Sequence, residues 1–186
     1  SYVGELGWEL YIPINEAREI YKTIIDKGKK YNLCHAGAHA MDILRMEKGY
    51  LHWGHDISPE ENQYEAKLNF AISYKKKIDF IGKDILLKEK EKKPKKTLIT
   101  LSLKKSKPGF PLLLHDEPIY LDNKLIGRTT SANYSFNYKK SIVFGYINSK
   151  INLDKGIIEI EVEKKRYEAI IEHKPLHDPS NKLIKI

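Results

Sequence analysis

Glu9 stands in the densest motif of the chain, Ser1-Tyr2-Val3-Gly4-Glu5-Leu6-Gly7-Trp8-Glu9-Leu10-Tyr11-Ile12-Pro13. Trp8, Leu10 and Ile12 alternate with Glu9 and Tyr11, the period of a strand whose successive side chains point to opposite faces. Glu9 then faces away from the apolar side, either toward a ligand with an aromatic neighbour or simply into solvent. Gly4 and Gly7 suit a tight bend that brings Tyr2 back beside that strand. Arg45 can orient an active-site carboxylate or bind an anionic ligand group. Equally, it can pair with Asp42, three residues earlier on the same predicted helix, for about a few tenths of a kcal/mol.

The other polar constellations are weaker. His35 and His39 lie four apart, the spacing that turns two imidazoles of a helix toward one metal. The intervening Ala-Gly-Ala lacks the Glu of zinc-hydrolase helices, and no third ligand has a matching spacing, so no metal centre is expected. His52 and His55 flank Trp53 and read as a hydrogen-bonded loop rather than a proton shuttle. Neither a Gly-rich phosphate loop nor a nucleophile elbow is present, which removes the common phosphate-binding and serine-hydrolase readings.

The elements that must hold these residues fall into two stretches. After Pro13, Asn15 is a good N-cap, and Ala17, Ile20, Tyr21, Ile24 and Ile25 form one helical stripe ending near Gly28, which predicts a packed amphipathic helix. Ala36, Ala40, Ile43, Leu44 and Glu47 predict a second helix closing at Gly49. A loop over His52–Pro59, a strand over Leu68–Tyr74 and a short helix over Gly82–Lys90 follow, so this stretch is expected to mix helix and strand. The charged segment Lys90–Lys96, with Pro94 and no large apolar side chain, is the candidate linker. Beyond it, Leu98–Leu103, Pro118–Leu121, Lys124–Arg128, Ile142–Ile147, Ile157–Val162 and Tyr167–Ile171 are short strand-like runs between turn signals. Six such runs imply a small antiparallel barrel or sandwich. The expected division is 1–91 and 97–186.

Composition narrows the class. At 186 residues, 41% hydrophobic and 31% charged, the chain can bury a sizeable core and has no apolar run long enough to span a bilayer. Cys34 is the single cysteine, so no internal disulfide is available and a cytoplasmic or organellar-matrix setting follows. The net charge of +8 invites a polyanionic partner, yet 29 of the 33 basic residues are Lys and only Arg18, Arg45, Arg128 and Arg166 are Arg. Bidentate phosphate and base recognition favours Arg, so the balance reads as a Lys-rich surface rather than a nucleic-acid face. The motif at the very start, with no Met at position 1 and no targeting segment, leads to the expectation that the chain is the later part of a larger enzyme.

Five ordered segments together resemble one family: Tyr2–Glu9, Leu44-Arg45-Met46-Glu47-Lys48-Gly49-Tyr50, His52-Trp53-Gly54-His55-Asp56, Asp79-Phe80-Ile81-Gly82-Lys83 and His177-Asp178-Pro179. This is the glycine-cleavage T-protein (aminomethyltransferase) family, and most closely the folate domain of dimethylglycine and sarcosine dehydrogenases. The resemblance implies an α+β chain, a partial ferredoxin-like folate-binding α/β region followed by a C-terminal antiparallel β-barrel. It implies tetrahydrofolate as the ligand, with Tyr2 and Glu9 at the positions that contact its pterin end and Arg45 close by. The pterin's ring NH and exocyclic amine are two parallel donors that an ionised carboxylate matches, and a Tyr ring can pack on the flat pterin face.

Met41 stands where glycine-cleavage T-proteins carry an Arg, which favours the dehydrogenase branch, and Lys67 stands where the family usually has Gly. The resemblance places the catalytic Asp upstream of Ser1, so no catalytic residue is expected within this chain. The implied activity is transfer of a one-carbon unit from an N-methyl or aminomethyl donor to tetrahydrofolate, with FAD confined to an inferred upstream module. The isolated chain is then expected to be inactive. Two rivals stay open: a stand-alone glycine-cleavage aminomethyltransferase acting on a lipoyl carrier protein, and an RNA-binding or tRNA-modification module of the same fold.

Overall fold

The computed structural model describes residues 1–185. Three α-helices precede the sheet: α1 (Ile14–Gly28), α2 (Ala38–Glu47) and α3 (Lys83–Glu91), with single 3-10 turns at Lys29–Tyr31 and Asn69–Ala71. Six strands follow: β1 (Lys96–Leu103), β2 (Pro118–Leu121), β3 (Lys124–Ser135), β4 (Lys140–Asn148), β5 (Ile158–Val162) and β6 (Lys165–Ile171). They close into an antiparallel barrel in the order β1-β4-β3-β2-β5-β6, with β6 returning to β1 through Leu101–Leu103 paired with Ile171–Ala169. Closure leaves no unpaired sheet edge.

The barrel is filled by inward side chains such as Leu101, Ile119, Val143 and Ile160, all essentially inaccessible. Strand β4 departs from the usual alternation because it is buried on both sides. Val143 and Ile147 point into the barrel, whereas Ile142, Phe144 and Tyr146 point outward and pack with Leu98 against Ile43 and Met46 of α2. Each such fully buried Ile, Met or Phe contributes roughly 1.5–3 kcal/mol, so this outer cluster is what fastens α2 to the barrel wall.

The first stretch differs from its expected form in several places. Trp8–Ile12 forms no regular element and pairs with nothing among the described residues, and Trp8, Leu10 and Tyr11 are exposed. The alternation was genuine, but a strand needs a partner for its backbone groups, and none is present among the described residues. Leu68–Tyr74 is likewise no strand: Asn69–Ala71 makes one 3-10 turn instead. Helix α1 begins at Ile14 with Pro13 at its cap and no side-chain capping bond, so Asn15 lies inside the helix. Its apolar stripe exists but is unpacked, since α1 has no buried residue and meets only the segment just after it, the 3-10 turn and His35. Helix α2 starts at Ala38, which leaves His35 outside it. Among the described residues no strand precedes Lys96, and no helix is long and apolar enough to cross a membrane.

Candidate functional site

Helix α2 and its C-cap residue Lys48 are unusual in burying charge. Arg45, Glu47 and Lys48 are each 3% exposed or less, and each reaches a different partner segment. Arg45 donates all five of its N–H groups: two to Asp42 Oδ1 (2.9 and 2.7 Å), one to the Tyr50 carbonyl (3.1 Å), one to Asp56 Oδ2 (2.6 Å) and one to Ser131 Oγ on β3 (2.8 Å). Asp56 is itself fully enclosed, accepting from His52 N–H at 2.9 Å and from the Thr130 hydroxyl. Its carbonyl takes the Tyr146 hydroxyl at 2.9 Å. Glu47 accepts from Ser135 Oγ at 2.6 Å and Asn137 Nδ2 at 2.9 Å.

Lys48 pairs with Asp178 at 2.9 Å, both side chains nearly inaccessible. Burial alone would push the Asp178 carboxyl up, but donors from Lys48 and from the backbone of Lys182 and Leu183, with the Lys48 charge, hold it below its ordinary value. A buried carboxylate or guanidinium without such partners would cost several kcal/mol, so these bonds are the condition for burying the charges at all.

Arg45 therefore has no N–H left for a ligand. What it does is fix Tyr50, and the Tyr50 ring lies over Tyr2 with centroids 6.4 Å apart and planes 18° from parallel. The Tyr2 hydroxyl donates to the Leu51 carbonyl at 2.9 Å. Burial raises the Tyr2 pKa; the Arg45 charge opposes this, and Asp56 and Asp42 add to it, which places Tyr2 within the field of the Arg45 cluster. The bend that returns Tyr2 is made at Gly4, which has φ +81° and donates to the Ser1 carbonyl at 3.1 Å. A side chain there would also strike Lys48, whose Cγ would lie 2.6 Å from the added Cβ.

Tyr2 and Tyr50 wall a cavity of about 640 Å³ together with Met46, Leu98, Phe144 and Phe70. That volume and largely apolar lining suit a drug-sized organic ligand. A larger cleft, about 1080 Å³, opens between the Lys92–Lys96 segment and the barrel, but neither Tyr2, Glu9 nor Arg45 lines it, and its wall alternates acids and bases. Glu9 lies outside both spaces, exposed, with its Oε2 accepting from the Tyr11 hydroxyl at 3.0 Å. The structure thus brings Tyr2 and Arg45 into one cluster and leaves Glu9 at a distance from it.

His35 bonds Tyr21 through Nε2 at 2.7 Å, and no group of three metal-ligating side chains exists among the described residues. His52 and His55 do approach, ring centroids 4.6 Å apart. The participants that sequence reasoning passed over are Tyr50, Asp56 and Ser131. Asp56 had a signal, a lone acid closing a His-Trp-Gly-His run; Ser131 had none.

Comparison with known proteins agrees with this architecture. The family model described as the GCVT N-terminal domain matches residues 1–76, and that of the glycine cleavage T-protein C-terminal barrel domain matches 96–178. Mitochondrial sarcosine dehydrogenase of Mus musculus is 33% identical over 192 aligned residues, taking in 100% of this chain and 20% of that protein. Mitochondrial dimethylglycine dehydrogenase of Homo sapiens is 34% identical over 176, taking in 95% of this chain and 20% of the relative. The crystal structure of glycine cleavage system aminomethyltransferase T from Bartonella henselae superposes with a TM-score of 0.82 over 96% of this chain and 48% of that one, at 23% identity. The chain spans about a fifth of the length of the two dehydrogenases and about half of that solved structure. With both characteristic domains of one family matched in order along most of its length, the chain belongs to the glycine-cleavage T-protein family.

Proposed function

We propose that this chain is the folate-binding and barrel portion of an enzyme that moves a one-carbon unit from an N-methyl amino acid to tetrahydrofolate. The observation that carries the reading is the cavity of about 640 Å³, largely apolar and walled by the Tyr2–Tyr50 pair. A flat heteroaromatic ligand with an aryl extension suits it in size and chemistry. Met41 and the similarity to sarcosine and dimethylglycine dehydrogenases favour an N-methyl donor over an aminomethyl-lipoyl carrier. In this reading a separate flavin module oxidises the N-methyl group, and the whole resides in a mitochondrial matrix or cytoplasm.

The proposed roles are these, with Glu9 reaching the ligand from outside the cavity that Tyr2 and Tyr50 wall. Glu9 holds only the Tyr11 hydroxyl, so its carboxylate has acceptor capacity for two parallel pterin donors. Tyr2 packs against the ring system, and its own orientation is set by Leu51 O and Tyr50. Arg45 is a positioning residue in this scheme: it fixes Tyr50 and the 52–56 loop and leaves the ligand to others. When bound, tetrahydrofolate supplies the nitrogen nucleophile that takes up the one-carbon unit. The protein's service is to hold that nitrogen beside the donor, an arrangement worth several kcal/mol over free encounter.

Glu9→Gln tests this. The amide keeps the size but turns one acceptor into a donor, a loss of about 1.5–3 kcal/mol for a charge-assisted bond, or roughly ten- to a hundredfold in affinity. Calorimetric titration of the two proteins with tetrahydrofolate reads it directly. Equal affinity in a folded Glu9→Gln protein would return Glu9 to a plain surface carboxylate.

A further inference from the structure

The charges on the wall of the Tyr2 cavity do not cancel. Lys48 and Asp178 neutralise each other at 2.9 Å, and Glu172 is engaged by Lys140 and Ser102, each at 2.6 Å. That leaves Lys67 and Lys174, neither of which has a carboxylate within ion-pair distance among the described residues. An apolar, aromatic-walled cavity with an excess of positive charge is matched by an aryl ligand that ends in an anion.

Lys67 is the more telling of the two. Its backbone sits in the left-handed region at φ +55°, where a glycine would rest without strain and a lysine does not. The turn that imposes this conformation is closed by Leu68 N–H donating to the Gln63 carbonyl at 2.8 Å. Lys67 lines the cavity between Ala66, which is buried, and Leu68, and is itself exposed. Partial desolvation there lowers the Lys67 pKa, while the residue as a whole keeps an exposed surface that an incoming group can reach. A carboxylate arriving at that point would supply the missing partner.

We propose that Lys67 anchors the carboxylate end of an aryl-carboxylate ligand in this cavity. Under the folate reading, on which this identification rests, that end is the benzoylglutamate half of tetrahydrofolate. Tyr2 is the residue common to the pterin assignment and to the cavity that Lys67 guards. Lys67 then selects for ligands that carry the tail, while Glu9 selects for the pterin.

Calorimetric titrations with two half-ligands separate these claims. The probes are p-aminobenzoylglutamate, which has the aryl group and both carboxylates but no pterin, and a tetrahydropterin without the tail. Lys67→Gly is the variant of choice because it relieves the backbone strain and so folds at least as well; Lys67→Glu reverses the charge. Benzoylglutamate affinity should fall by about three- to tenfold in Lys67→Gly and further in Lys67→Glu, and added salt should weaken it in the parent protein. Tetrahydropterin affinity should stay the same in all three. Undiminished benzoylglutamate binding in Lys67→Gly, or no benzoylglutamate binding to the parent protein, overturns the role of Lys67. If tetrahydropterin nevertheless binds and Glu9→Gln weakens it, the folate reading survives that outcome. Lys67-dependent benzoylglutamate binding with no tetrahydropterin binding would uphold the anchor and remove the folate reading instead.

Discussion

Replacing Arg45 by Met tests the hub that joins helix to barrel. The side chain is 1% exposed and its partner Asp56 0%, whereas Asp42 keeps 33% of its surface. Deleting the guanidinium therefore leaves Asp42 to be rehydrated but strands the Asp56 carboxylate, with only His52 N–H and the Thr130 hydroxyl as neutral donors. An uncompensated buried charge of this kind costs about 3–5 kcal/mol. With a urea slope of roughly 2 kcal/mol per molar for a chain of this size, the unfolding midpoint of Arg45→Met should drop by about 1.5–2.5 M. Arg18→Met, at an exposed position, should stay within about 0.5 kcal/mol of the parent. The double variant Arg45→Met/Asp56→Leu removes the stranded charge and should regain part of the loss. Recovery stays partial because His52 N–H and the Thr130 hydroxyl then lack their acceptor. An Arg45→Met protein that unfolds within about 1 kcal/mol of the parent would refute the claim that this network is sealed from water.

Two further expectations concern acid and motion. Asp178 is held below its ordinary value of 3.8, so its pairing contributes fully at neutral pH and is lost as the pH falls from that value through the lower folded-state one. Lys48→Met removes the main stabiliser of the charged form, so its stability deficit against the parent should be larger at pH 7 than at pH 3 in urea melts; an equal deficit would contradict the assignment. Hydrogen exchange should show α1 exchanging orders of magnitude faster than α2, because a 15-residue helix with no buried residue is only marginally stable. Protection of α1 to the level of α2 in the isolated chain would refute that account.

The barrel was largely legible in the sequence because each strand carries its own alternation and its own turn. Pro118–Leu121 was read to the residue, and the other five strands to within a few residues except at the far end of β3, which runs on to Ser135 through a bulge at Thr129–Ser131. That extension is mostly polar, and its Ser131, Asn133 and Ser135 receive α2 while Ala132 packs on the barrel core. Period-based reading finds burial against apolar neighbours and misses burial against charge. The same limit hid the Arg45 hub: Asp42 was visible as a neighbour three residues away, but Asp56 and Ser131 join it only through the fold. Trp8–Ile12 failed in the opposite way, since alternation specifies which face a residue takes but not whether another strand is available to pair.

The three buried charges of α2 and its C-cap limit how this architecture can vary. A helix docked by Ile43 and Met46 alone could shift along or rotate over the surface of β4 and still cover apolar area. Arg45, Glu47 and Lys48 forbid that, because each is answered at one place only: Ser131 and Asp56, Ser135 and Asn137, and Asp178 in the tail beyond β6. The sites of reply are scattered over 120 residues of chain, yet they form one address. A barrel transplanted from a distant homologue will accept this helix only if those side chains travel together, so divergence at this joint proceeds by matched sets of substitutions rather than one residue at a time.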